Sequence, residues 1–316
     1  MRRRSPRPAP PLPQRDGIDP VRLRQPPQAS YRTVGAFLTA HYAGGAGAEA
    51  VARLLADGRV YASDGRAVRA GDPYEPGGSL WFHRDPVPET PVPFPIRVVH
   101  RDEHLLVVDK PHFLATTPRG SHVTQTALAR LRHELELPEL SPAHRLDRLT
   151  AGLVMFSVRP EDRGAYQLLF QARRVHKEYE AIAAHDPALA ATLPRTVRSR
   201  IVKVRGVVAA AEVPGEPNAE SRIELLDHTD RLGRYRLTPH TGRTHQLRVH
   251  MNSLGLPILG DPVYPVLTDP APDDYRRPLQ LLARTLSFTD PVTGAAHRFE
   301  SGLRLRAWYD YPGWAA

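Results

Sequence analysis

His144-Arg145-Leu146-Asp147-Arg148-Leu149-Thr150-Ala151-Gly152 sets one carboxylate, Asp147, between two arginines and opens through Thr-Ala-Gly onto the apolar run Leu153-Val154-Met155-Phe156. Desolvation disfavours a charged carboxylate and nearby cations favour it, so an acid in this cradle can stay ionised inside a cleft. The same arginines can hold phosphates. An isolated surface Asp-Arg pair is worth little, so the flanking elements decide the reading. Upstream, Leu105-Leu106-Val107-Val108 reads as a short strand ended by Lys110-Pro111. Thr126 to Leu137 follows as an amphipathic helix, with Leu128, Leu131 and Leu135 at helical spacing, Thr124 as cap, and Pro138 and Pro142 closing it. The Asp147 loop therefore joins a helix to a strand, where rigid neighbours can hold side chains in a cleft.

Downstream, Pro160-Glu161-Asp162 starts a helix that runs to about Ala172, with Pro and acids in its first turn. Residues 173–182 alternate as a strand, which puts Lys177 and Tyr179 on one face. Arg222–Leu226 and Arg234–Leu237 read as paired strands, with Gly233 supplying the turn. Arg243 to Leu254 reads as a helix carrying Leu247, His250, Met251 and Leu254 on one face and stopped by Gly255. Arg243 and Thr244, at its start, suit a phosphate. His240, His245 and His250 recur every five residues, which puts them on opposite sides of a strand or about 140° apart on a helix, so they do not read as a metal site. Leu281–Phe288 and Ala296–Phe299 form a last hairpin.

There is no cysteine in the 316 residues, which excludes disulfides, zinc-thiolate sites and thiol nucleophiles. No apolar run approaches the roughly 18 residues of a membrane span, and the basic start lacks the apolar region of a secretory signal. A cytoplasmic protein without membrane association is expected. The formal net charge of +9 invites a nucleic-acid partner, but it is unevenly spread. Residues 1–28 hold seven Arg against two Asp, together with eight prolines, and read as a disordered basic arm. Only three of the 43 basic residues are Lys, and two of these, Lys110 and Lys177, fall in the segments that carry chemistry. Compact ammonium and planar guanidinium are not interchangeable at a tight site.

Residues 29–88 pattern as helix, helix, hairpin and form a small domain, with six Arg balanced by six acids. Pro91, Pro93 and Pro95 mark residues 89–96 as a stiff linker, leaving 97–316 as the main domain.

The opening stretch closely resembles the signature of the RluA-type family of RNA pseudouridine synthases, which reads His-Arg-Leu-Asp, two variable residues, then Thr-Ser-Gly. Asp102 to Pro111, Lys177-Glu178-Tyr179, Thr241 to His250 and Gly260-Asp261-Pro262-Val263-Tyr264 follow the family's order, so the resemblance covers roughly residues 95 to 300. Ala151 stands where Ser is usual, and Pro265 where Gly is common. Residues 29–88 more weakly resemble the S4 RNA-binding module.

The resemblance implies an α+β enzyme with a mixed, largely antiparallel sheet, flanking helices and an RNA cleft, preceded by an S4-like module. It further implies a monomer that isomerises uridine to pseudouridine in ribosomal or transfer RNA, with no cofactor and no metal. Asp147 would act at the ribose as nucleophile or base, Tyr179 would stack on the base and assist proton movement, and Arg248 would pair with Asp147. Arg145 would fill the vacated stack, and His144, Arg148, Lys110, Lys177, Arg243 and Thr244 are the further expected RNA contacts. The alternative is a noncatalytic RNA-binding or ribosome-assembly protein on the same scaffold, which has no need of Asp147, Tyr179 and Arg248 together.

Overall fold

The computed structural model describes residues 10–42, 47–85 and 88–316, and the chain divides into two units, Met1–Pro88 and Glu89–Ala316. In the first, β1 (Val21–Arg24) is followed by α1 (Val34–His41), α2 (Gly47–Ala56) and β2 (Ser79–Phe82). Thr33 caps α1 by accepting the Ala36 N–H at 3.2 Å. Phe37, Leu38, Leu54, Leu55, Leu80 and Phe82 form the core. The expected hairpin is a tight turn at Asp64-Gly65, where Ala62 N–H donates to Arg66 O and Val68 N–H to Val60 O.

One expectation is corrected here. β1 lies inside the segment read as a disordered arm, and it pairs antiparallel with β2, Leu23 opposite Leu80. Val21 and Leu23 alternate with Arg22 and Arg24, so one face packs on the core while Arg22 Nε donates to Ser79 Oγ at 3.0 Å. Residues 1–9 of that segment lie outside the described residues.

The second unit is built on one eleven-stranded sheet. In chain order it runs β3 (Arg97–Arg101), β4 (Leu105–Lys110), α3 (Ala127–Glu134), β5 (Ser141–Pro142), β6 (Ala151–Ser157), α4 (Arg163–Gln171), β7 (His176–Ala184), α5 (Pro187–Ala190), β8 (Arg195–Val202), β9 (Ala211–Val213), β10 (Ala219–His228), β11 (Leu232–Pro239), α6 (Gln246–Ser253), β12 (Leu281–Thr289) and β13 (Ala296–Glu300). The strands lie in the order β3-β4-β6-β12-β7-β11-β10-β8-β9, with β13 also on β12 and β5 also on β6. β4 and β6 are buried along their whole length, which explains their unbroken apolar runs. Each fully buried Leu or Val there contributes about 1.5–3 kcal/mol. Among the described pairings, β6 with β12 is the parallel one in a sheet otherwise antiparallel.

That parallel junction positions the site. Ala283 of β12 faces Gly152 of β6 on one side and Tyr179 of β7 on the other, so the end of the Asp147 loop and Tyr179 meet across one intervening strand.

Two further readings are revised. Residues 89–96 are not a free linker. The Glu89 carboxylate accepts the N–H groups of Val123, Thr124 and Gln125, Arg130 donates to the carbonyls of Val92 and Phe94, and Val92 is buried in the core. Gly233 does not make the β10–β11 turn either. It lies within β11 opposite His228, and a Cβ there would stand 2.6 Å from the Tyr235 ring, so its lack of a side chain makes room for Tyr235. No helix of the described residues is long and apolar enough to cross a membrane.

Candidate active site

The loop from β5 to β6 is fixed from below by side chains that bond its backbone. Thr116 Oγ1 donates to Leu146 O at 2.9 Å and accepts the Leu146 N–H at 3.2 Å. Lys110 Nζ reaches Arg148 O at 3.3 Å, and His112 Nδ1 donates to Leu149 O at 2.8 Å. Thr150 N–H closes the turn onto Asp147 O at 3.1 Å. With its backbone tied at successive residues, the loop presents Asp147 to solvent with the side chain 36% exposed. Such preorganisation lets a reactive group act without reordering its surroundings.

Asp147 opens into a pocket of about 840 Å³. Among the described residues, Asp147 is the one carboxylate on its wall, against seven cations: Arg119, Arg145, Arg148, Arg173, Lys177, Arg243 and Arg248. Tyr179, His144, Thr244 and His245 share that wall. The sequence-based site residues thus converge on one cavity, apart from Lys110.

Lys110 is fully buried, with Nζ donating to Pro111 O at 2.9 Å and Leu114 O at 2.8 Å besides Arg148 O. It holds the floor of the site and does not face RNA, which corrects its assignment. Burial is the main influence on its pKa and pulls it down from 10.5 to about 7, against the pull of Asp147. The unfolded chain therefore binds the extra proton more readily, so the buried ammonium costs stability in full below pH 7. That cost falls away as pH rises toward 10.5. Relative to Lys110→Met, the wild type is expected to gain up to about 1.4 kcal/mol per pH unit across this window. Urea midpoints of both proteins at pH 7, 8 and 9 test this, and parallel pH courses would count against it.

His144 lines the pocket but is committed to structure. Its Nε2 accepts the Met155 N–H at 3.1 Å, its ring stacks on Phe170 at 4.3 Å, and burial pushes its pKa down to about 3. A neutral imidazole so engaged braces β6 and makes no charged phosphate contact. Arg145, Arg243 and Thr244 are exposed, and Arg148 and Lys177 half-buried. Arg243 Nε donates to Asn218 O at 3.1 Å. Burial lowers the pKa of Lys177, with Arg173 adding repulsion. Tyr179 is held well above the ordinary phenol value by burial and by Asp147, and so stays protonated at neutral pH.

Arg248, on α6, is 3% exposed. Its nearest partner is not Asp147, as the sequence suggests, but Asp261, at 2.7 and 2.6 Å. Asp147 Oδ2 lies 3.6 Å from Arg248 Nη1 and 3.9 Å from His245 Nε2, beyond hydrogen-bond range of both. Burial opposes the charge on Arg248, but Asp261 and then Asp147 outweigh it and raise its pKa. Asp261, His245 and Tyr264 are the site residues that sequence reasoning left without a role. The three histidines part company: His240 is exposed, His245 faces Asp147, and His250 is buried against Ser199 Oγ at 3.1 Å.

The chain is similar to known proteins over much of its length. The family described as RNA pseudouridylate synthase matches residues 104–253. Ribosomal large subunit pseudouridine synthase D of Pseudomonas aeruginosa is 31% identical over 279 residues, 80% of this chain and 83% of that protein. Dual-specificity RNA pseudouridine synthase RluA of Haemophilus influenzae is 30% identical over 217 residues, 65% of this chain and 91% of that protein. The solved structure of human RNA Pseudouridylate Synthase Domain Containing 4 superposes with a TM-score of 0.50 at 25% identity, covering 67% of this chain and 90% of that one. With the His144–Gly152 signature on a mixed, largely antiparallel sheet, these matches show that the chain belongs to the RluA-type family of RNA pseudouridine synthases, enzymes that isomerise uridine in RNA.

Proposed function

We propose that the enzyme acts on particular uridines of ribosomal or transfer RNA, with Asp147 as the reactive group, Tyr179 stacked on the base and Arg248 as the counter-ion of Asp147. The observation that carries this reading is the composition of the pocket, one carboxylate among seven cations with Tyr179 on the same wall. Cations suit a polyanion, and a lone acid among them has a chemical use. The substrate classes are those named in relatives such as the Pseudomonas enzyme and the yeast tRNA pseudouridine(32) synthase, mitochondrial, which is 29% identical over 222 residues.

The target uridine leaves its stack to enter the pocket. Asp147 then acts at the ribose, as nucleophile or as base. The N1–C1′ bond breaks, the base turns, a C5–C1′ bond forms, and the C5 proton leaves while N1 gains one, so no net oxidation occurs. Tyr179, kept protonated, stacks on the detached base at a worth of about 1–3 kcal/mol and assists the proton transfer. Arg145, exposed on the rim, fills the space the base has left, and Arg148, Lys177, Arg243 and Thr244 meet the backbone. Residues 29–88 we read as an S4-like module, on their order of two helices followed by a strand.

Pseudouridine mapping in ribosomal and transfer RNA from cells with and without the protein tests the proposal. Sites that vanish on deletion and return with the wild type but not with Asp147→Asn are expected. An unchanged map in both RNA classes would refute this choice of substrates.

A further inference from the structure

The side chain of Asp261 is fully buried and outside the pocket wall, yet it determines which part of Arg248 reaches the pocket. Its Oδ2 accepts from Arg248 Nε at 2.7 Å and its Oδ1 from Nη2 at 2.6 Å, leaving Nη1 to face Asp147 Oδ2 at 3.6 Å. The carboxylate is itself held by its own turn, because Oδ1 also accepts the N–H groups of Val263 at 2.9 Å and Tyr264 at 3.2 Å. Gly260 makes that turn possible. Its φ is +73°, and a Cβ there would lie 2.6 Å from Pro278 O. The Tyr264 ring then lies 5.3 Å from the guanidinium centre, and its hydroxyl meets the backbone N–H and carbonyl of Ala210, each at 2.8 Å, and His245 Nδ1 at 3.0 Å. The segment Gly260 to Tyr264 thus holds both basic side chains that face Asp147.

A guanidinium fork matches a carboxylate in two parallel hydrogen bonds. Two carboxylates flank this one guanidinium, and the fork goes to the buried one. Were it to close on Asp147, both oxygens of the reactive group would be engaged and turned away from the ribose. We propose that Asp261 is a positioning residue for the isomerisation: by occupying the Arg248 fork in a buried pair, it keeps Asp147 within the field of the guanidinium but outside its hydrogen bonds. This inference rests on the reading of Asp147 as the reactive group.

The test uses the full chain on transcribed, pseudouridine-free RNA from a site the enzyme modifies. In Asp261→Asn the fork is released, and kcat is expected to fall about a hundredfold, the scale of an ångström-level misplacement in an active site. KM should hardly change, because Asp261 is out of reach of RNA. The discriminating comparison repeats the substitution in an Arg248→Gln background, where it is expected to leave kcat unaltered, since Asp261 acts through Arg248. Losses that multiply across the two backgrounds would mean that Asp261 serves only its own turn and would overturn the inference. Wild-type kcat in Asp261→Asn, with Asp147→Asn inactive, overturns it while sparing the reading beneath; an active Asp147→Asn removes both. If Asp261→Asn fails to give a cooperative melt, Asp261→Glu keeps the charge and moves the carboxylate by one methylene. A folded Asp261→Glu with wild-type kcat would equally overturn the proposal, and a lowered kcat at unchanged KM is the expected result.

Discussion

Asp147→Asn is expected to lower turnover by roughly 10⁴-fold or more, the scale on which removal of a reacting group acts, while RNA affinity holds or rises slightly. The substitution keeps the shape of the side chain and removes its capacity to act as nucleophile or base. The geometry makes the split clean. Asp147 Oδ2 stands 3.6 Å from Arg248 Nη1 and 3.9 Å from His245 Nε2, so the fold does not depend on a hydrogen bond from either. The guanidinium that would otherwise be stranded is already paired with Asp261 at 2.6 and 2.7 Å. An interaction made only in the transition state costs kcat without costing ground-state binding, and removing the one carboxylate from a wall of seven cations relieves repulsion toward phosphate. Pseudouridine formation, RNA binding and the thermal midpoint should be measured on the same preparation. Near-wild-type formation would show that Asp147 is not the reacting group, and loss of binding in step with turnover would make it a binding residue instead.

Much of this arrangement is legible in the amino-acid sequence. Short-range patterns placed the helices and strands around Asp147, because burial on both faces writes itself as continuous apolar runs at Leu105–Val108 and Leu153–Phe156. Alternation puts Lys177 and Tyr179 on one face of a strand, and both lie on β7 and line the pocket. Long-range polar pairing was not legible. The partner of Arg248 lies thirteen residues on, beyond the end of α6, and no periodicity links a helix side chain to a loop carboxylate. Lys110 misled in an instructive way: its rarity in an Arg-rich chain marked a special position, but sequence does not distinguish an ammonium under a loop from one facing phosphate. The compact, rotatable donor is suited to three backbone carbonyls at close quarters. The arm and the linker depart from expectation for a shared reason. Proline-rich composition describes what a segment cannot do alone, whereas Val21, Leu23 and Val92 find cores supplied by other parts of the chain.

Gly152→Ala should be the most damaging single methyl in the catalytic unit. Gly152 has φ +111°, a region that L side chains rarely adopt, and a Cβ there would sit 2.3 Å from Ala283 O and 2.7 Å from Ala283 N. Both atoms belong to the β12 backbone in the parallel junction, so neither can swing aside as a side-chain tip would. Strained backbone alone costs about 1–3 kcal/mol, and adding displacement of a central strand brings the expected loss to roughly 3–5 kcal/mol. For a unit of this size that corresponds to a fall of about 6–20 °C in Tm. Gly120→Ala is the matched control. Its φ is +60°, also left-handed, but nothing lies within 4 Å of the added methyl, so about 1–2 kcal/mol is expected. The two variants separate strain from collision, and the same collision carries into function, since Ala283 also faces Tyr179 and Gly152 ends the loop that carries Asp147. Turnover in Gly152→Ala should therefore drop even below its melting range, whereas Gly120→Ala should keep it. Equal melting points for the two alanine variants would mean that the junction between β6 and β12 is not held as tightly as the contact with Ala283 implies.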